Sequence, residues 1–145
     1  DPGASATGYG VVASSDCVLR AVEYGSVSTS PRDPFSSRLL QIFSRLAELI
    51  RCYQPEWAAI ESLIFAKNVQ SAFKLGQARG VALLAAAQSG LAIAEYTPLQ
   101  VKSAVTGYGA AGKGQVQQMV QSLLGLKEPL RSTDALQNHL RTERG

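Results

Sequence analysis

One short run constrains this chain more than any other. Trp57-Ala58-Ala59-Ile60 is apolar throughout and ends on a carboxylate, Glu61. Gln54-Pro55-Glu56 marks a turn before it, and a short apolar run bounded by turn signals reads as a buried strand. An unpaired charge is costly to bury. A carboxylate that closes such a strand therefore either has a task or is a solvated cap. In open α/β sheets, function gathers at the carboxyl ends of strands. From the residues alone these two readings of Glu61 stand level. Beyond it Ile64, Phe65, Lys67 and Asn68 read as a loop, and a helix begins near Val69.

The rest of the chain arranges itself around that strand. Thr7 to Ala13, Cys17 to Tyr24 and Ser26 to Thr29 read as three strands of an antiparallel meander. Phe35, Leu39, Leu40, Phe43, Leu46, Ala47 and Ile50 recur at helical spacing, which predicts a helix over 36–53. A second helix is expected over 69–88, a strand over 91–96, a third helix from Leu99 to Val105 and a fourth from Gln115 to Leu124. Ser132 or Thr133 is placed to cap a last helix near Asp134. This order predicts a mixed sheet of about five strands with helices on both faces. The tetrapeptide Thr-Gly-Tyr-Gly occurs at 7–10 and again at 106–109, too short to count as a repeat.

Composition narrows the class. With 145 residues, 46% hydrophobic and 17% charged, the chain is long and apolar enough for one globular domain. A net charge of +3 permits an anionic partner. The single histidine, His139, excludes a multi-histidine metal site. Cys17 and Cys52 lack ligand spacing and are expected to be reduced, as in a cytoplasmic protein. No apolar run has the length of a membrane span, and no signal peptide is expected. The chain opens at Asp1 without an initiator Met and is expected to be a fragment or trimmed.

Three acidic residues stand at element ends: Asp1, Glu61 and Asp134. Carboxylates brought together from distant segments suit Mg²⁺, which takes hard oxygen ligands. A pair of such ions activates water and stabilises the leaving oxygen in phosphodiester hydrolysis. Spacing alone does not bring the three together. The motifs around them, however, carry a resemblance. Asp1-Pro2-Gly3 with Thr7-Gly8-Tyr9-Gly10 resembles the first catalytic motif of the RuvC-type Holliday-junction resolvases. Ile60-Glu61, Phe65-Ala66-Lys67-Asn68 and Lys74-Leu75-Gly76-Gln77-Ala78-Arg79-Gly80 resemble the second. Tyr96, Gln100-Val101-Lys102 and Gly109 through Lys113 to Gln115-Val116 resemble the third. The resemblance covers about residues 1–126.

It implies a ribonuclease H-like α/β fold, a mixed five-stranded sheet flanked by helices on both faces, in one nuclease domain over 1–145. It implies a bacterial cytoplasmic endonuclease, working as a homodimer, that cuts four-way DNA junctions symmetrically with Mg²⁺, or Mn²⁺ as a substitute. By resemblance Asp1, Glu61 and Asp134 are the catalytic and metal-holding residues. Lys102 and Lys113 match basic residues near the scissile phosphate, with Lys113 in a glycine-rich loop. Phe65, or Ile64, falls where the family has an aromatic at the junction centre; Lys67 and Arg79 are further DNA-contact candidates. The helix over 69–88 matches the dimer-forming helix, with Gly76, Ala78, Ala82 and Ala86 as its small-residue face. The RuvA–RuvB branch-migration complex is an implied partner, and no membrane is. The last motif departs from the pattern. The family has two acidic residues three apart; if Asp134 is the second, Arg131 holds the first position, and if it is the first, Gln137 holds the second. The strand start before Asp1 and the helix after Asp134 are expected to be truncated or atypical in this sequence. The alternative is therefore a RuvC-like junction-binding protein with weakened or lost cleavage.

Overall fold

The computed structural model describes residues 5–62 and 68–128. Its elements run β1 (Ala6–Ser15), β2 (Val18–Ser28), α1 (Phe35–Tyr53), β3 (Trp57–Glu61), α2 (Val69–Gln88), β4 (Ala92–Tyr96), α3 (Pro98–Thr106) and α4 (Lys113–Leu123). The four described helices and the β3 and β4 strands fall within about two residues of the boundaries expected from sequence; the last helix expected near Asp134 lies outside the described residues. The described strands pair as β1 with β2 and β3 with β4. The chain divides into two compact units, one of Asp1–Gly8 with Val27–Pro98, the other of Tyr9–Ser26 with Leu99–Gly145.

In the first unit β3 and β4 are parallel, with Trp57 opposite Ala92 and Glu61 opposite Tyr96. Parallel neighbours need a crossover, and α2 supplies it. The helix starts on Asn68, whose side-chain oxygen accepts the Ser71 N–H at 2.9 Å. A cap of this kind contributes about 0.5–2 kcal/mol. Packed against α2 is α1. The buried residues of α1 are Arg38, Ile42 and Leu49, and those of α2 are Ala78, Ala85 and Ala86. Ile42 is fully enclosed; burying a side chain of that size contributes about 1.5–3 kcal/mol. This corrects the sequence-based face of α1. Leu40 is 63% exposed, because the inward stripe runs 38, 42, 49, and Leu40 stands off it. The helix ends on Gln54 at φ 46°, its N–H bonded to the Ile50 carbonyl at 2.8 Å. Pro55 follows, and a residue before proline is kept out of the right-handed helix.

β2 is one strand where sequence suggests two, over 17–24 and 26–29. Gly25 is the cause: it reads as a turn but is spanned by the strand. Its missing side chain makes room for Tyr9; a Cβ there would stand 3.0 Å from the Tyr9 hydroxyl. The real turn is Asp16-Cys17, with φ of 49° and 63°. Two successive positive φ values mark the primed turns that match strand twist in two-residue hairpins. Both cysteines are free and exposed. The second unit also holds α3 and α4, joined by Gly107 to Gly112.

Candidate active site

Glu61 is the last residue of β3 and is half-buried. Its backbone is fixed from β4. The ladder reaches Glu61 opposite Tyr96, and one residue on the Ser62 N–H donates to the Tyr96 carbonyl at 2.7 Å. The Ser62 hydroxyl donates to the same oxygen at 3.3 Å. Alternate strand residues face opposite sides. Ile60, 8% exposed, and its register partner Glu95 share one face. Arg79 of α2 reaches Glu95 on that face through Nη2. Glu61 and Tyr96 therefore face away from α2. No ion pair with another described residue engages the Glu61 carboxylate.

The other expected carboxylates, Asp1 and Asp134, lie outside the described residues, as do Ile64, Phe65, Lys67 and Arg131. Among the described residues no three His, Cys, Asp or Glu side chains come together as a metal site. The donor chemistry of Asp1, Glu61 and Asp134 is oxygen only, which fits a hard divalent cation. Lys102 is half-buried on α3 and Lys113 is exposed. Lys113 is not inside a loop: it is the first residue of α4, with Gly112 at the N-cap. Both lysines belong to the second unit and Glu61 to the first.

Two expectations are redrawn. Arg79 is engaged by Glu95, with its Nε buried and without a partner. It ties α2 to β4 next to the Glu61 row. Exposed pairs of this type contribute only about 0–1 kcal/mol, so its effect is placement. The small-residue face of α2 is also split. Ala78 and Ala86 are 0% and 2% exposed. The outward stripe is Val69, Phe73, Gly76, Gly80 and Leu84, of which Val69, Phe73 and Leu84 are 70%, 68% and 59% exposed. Among the described residues, nothing lies within 4 Å of a Cβ built on Gly76 or Gly80.

Sequence reasoning missed Arg38. It is 6% exposed and donates from Nε to the Thr29 hydroxyl at 2.9 Å and from Nη2 to the Ser5 hydroxyl at 3.4 Å. The Phe35 ring lies 5.6 Å away. Arg38 thus fastens α1 to the segment that follows Asp1. The signal was available: Arg38 is spaced four residues from Ile42, on the apolar stripe.

The fold is similar to that of T. thermophilus RuvC in complex with a Holliday junction substrate, at TM-score 0.86 and 36% identity, over 94% of this chain and 83% of that one. A second T. thermophilus RuvC structure matches at TM-score 0.81 and 34% identity, over 97% and 93%. A mixed α/β core with a carboxylate at a strand end, on this pattern, makes the chain an α/β nuclease with a ribonuclease H-like fold. The family described as crossover junction endodeoxyribonuclease RuvC matches residues 1–138. The crossover junction endodeoxyribonuclease RuvC of Treponema denticola is 49% identical over 139 residues, covering 94% of this chain and 78% of its own. That of Brevibacillus brevis is 50% identical over 128 residues, covering 88% and 77%. The chain belongs to the RuvC family of crossover junction endodeoxyribonucleases. Among the described residues no helix is long and apolar enough to cross a membrane.

Proposed function

We propose that this chain is a structure-selective endonuclease that resolves four-way DNA junctions by paired, symmetric phosphodiester hydrolysis. The observation that carries this is Glu61, a half-buried carboxylate at the end of β3, in no ion pair with another described residue, in a chain of the RuvC family. Asp1, Glu61 and Asp134 are assigned to hold Mg²⁺, with Mn²⁺ as a substitute. When bound, the metal supplies an activated water and charge stabilisation at phosphorus. Glu61 orients its carboxylate from a strand end whose main chain β4 holds on both sides. Lys113, exposed at the start of α4, and Lys102 on α3 bind phosphates; Lys67 and Phe65 are also assigned to contact DNA. Arg79 positions β4.

A symmetric junction needs two cuts related by a two-fold axis, so a second copy of the chain is the expected partner. The outward stripe of α2 suits that contact: Gly76 and Gly80 let backbones approach, with Val69, Phe73 and Leu84 around them. The chain works as one nuclease domain in the bacterial cytoplasm, where RuvA–RuvB is the further partner the family implies. A second reading, junction binding with little cleavage, rests on Arg131, which stands three residues before Asp134 where the family has an acid.

The test is cleavage of a synthetic four-way junction in Mg²⁺ by the wild type and by Glu61→Gln. The wild type should give paired symmetric nicks. Glu61→Gln should cut about a hundredfold more slowly or worse while binding the junction as tightly. A wild type that binds the junction and leaves it whole would move the conclusion to the second reading.

A further inference from the structure

The loop between α3 and α4 presents an aromatic ring on an unusually fixed support. Tyr108 is 61% exposed. Its main chain is nevertheless held at both polar groups. The Tyr108 N–H donates to the Thr106 hydroxyl at 3.1 Å. The single hydrogen of that hydroxyl is shared between the Tyr108 carbonyl, at 3.0 Å, and the Lys102 carbonyl, at 2.8 Å. The Ala111 N–H donates to the Tyr108 carbonyl at 3.1 Å, and the Gly107 N–H to the Ser103 carbonyl at 2.8 Å. Gly107 takes φ +74°, which a side chain would disfavour. Gly109 sits so close to α3 that a Cβ on it would be 3.0 Å from the Ser103 hydroxyl and 3.1 Å from Leu99 Cγ.

Single exposed aromatics are common and need no purpose. A loop bonded down at this many points is different, because the main chain from which the exposed ring projects is fixed. Little ordering remains to be done when something lands on it. The surroundings indicate what lands. Lys102, whose carbonyl accepts from the Thr106 hydroxyl, precedes the loop, and the exposed Lys113 ends it. The chain as a whole carries +3. A flat apolar face on a loop with one lysine before it and another after it in the chain suits a nucleic-acid strand, with phosphates on the lysines and a base on the ring.

We propose that Tyr108 is a stacking platform for an unpaired base of the junction, separate from the aromatic position at Phe65. This rests on the junction-binding reading above. The phenol ring contributes its face; its hydroxyl has no part.

The experiment measures affinity for a four-way junction carrying 2-aminopurine at the crossover, over a salt series, with the full chain. The variants are Tyr108→Ala, Tyr108→Phe and Lys113→Ala. Tyr108→Ala should weaken binding about five- to a hundredfold, as loss of one base stack does. It should leave the salt slope unchanged and abolish the quenching of 2-aminopurine on binding. Tyr108→Phe should behave as the wild type. Lys113→Ala should lower the salt slope by about one. Tyr108→Ala within twofold of the wild type, or Tyr108→Phe as weak as Tyr108→Ala, would overturn the platform while leaving junction binding intact. A wild type that does not bind the junction would remove both. Normal affinity of Tyr108→Ala for the junction, with lost capture of a partner protein by that variant, would assign the ring to a protein surface and refute this one.

Discussion

Thr7-Gly8-Tyr9-Gly10 and Thr106-Gly107-Tyr108-Gly109 are the same four residues folded in two ways. The first lies within β1, with Thr7 3% exposed and the Tyr9 ring covering Gly25 of β2. The second closes α3 and turns the chain toward α4. There Thr106 bonds back to the helix, Gly107 takes a positive φ and the ring stands in solvent. The difference lies in what each stretch has to pair with. Residues 6–15 have a partner strand two residues away through the Asp16-Cys17 turn. Residues 106–109 follow a nine-residue helix, and their bonds go back onto its last turn. Four residues do not carry enough local preference to outweigh that. One tyrosine is thereby spent on packing and the other is left for recognition.

Substitutions at the glycines should separate the two copies. The largest effect is expected at Gly109, where Gly109→Val would push a branched side chain into Ser103 and Leu99. Overpacking of this kind costs about 1–3 kcal/mol, read as a lower midpoint in urea unfolding; an unchanged midpoint would show that the loop does not pack on α3. Next is Gly25→Val, with about 1–2 kcal/mol lost against the Tyr9 ring. Combining it with Tyr9→Ala should recover part of the loss, since the two residues share one space. Simple additivity of the two changes would contradict that contact. The smallest effect is expected at Gly107→Ala, about 1 kcal/mol from the left-handed backbone alone. Melting curves for Gly107→Ala and for Gly8→Ala in β1 should differ in kind: only the former adds backbone strain.

Much of this architecture was legible in sequence. α2 could be placed from Val69 to Gln88 because its pattern is uninterrupted after the loop that ends at Asn68; the capping role of Asn68 shows only in the fold. β3 could be placed because Pro55 isolates a short apolar run. Gly25 misled because a glycine signals a turn by its freedom, while here it is chosen for its lack of bulk. The Asp16-Cys17 turn carried no glycine and was hidden for the opposite reason. At the site, the place of Glu61 at the end of β3 was legible, while its task came only from the family resemblance. Arg79 was not: a basic residue in a motif suggests DNA, and only the approach of Glu95 from β4 shows a partner within the protein. Lys113 was placed in a loop because Gly112 and Gly114 flank it, yet α4 begins on it.

The parallel register of β3 and β4 also sets an order of events during folding. A hairpin strand can find its neighbour as soon as a turn closes, as β1 finds β2. β3 has no such option, since Trp57 must wait for Ala92 and the whole of α2 lies between them. Pairings so far apart in sequence are slow because loop closure comes before any gain from contact. On a ribosome, Glu61 emerges well before the strand that will hold it. Glu61, to which the metal-holding role is assigned above, is thus fixed only once β4 has paired, and its geometry reports that the crossover is complete.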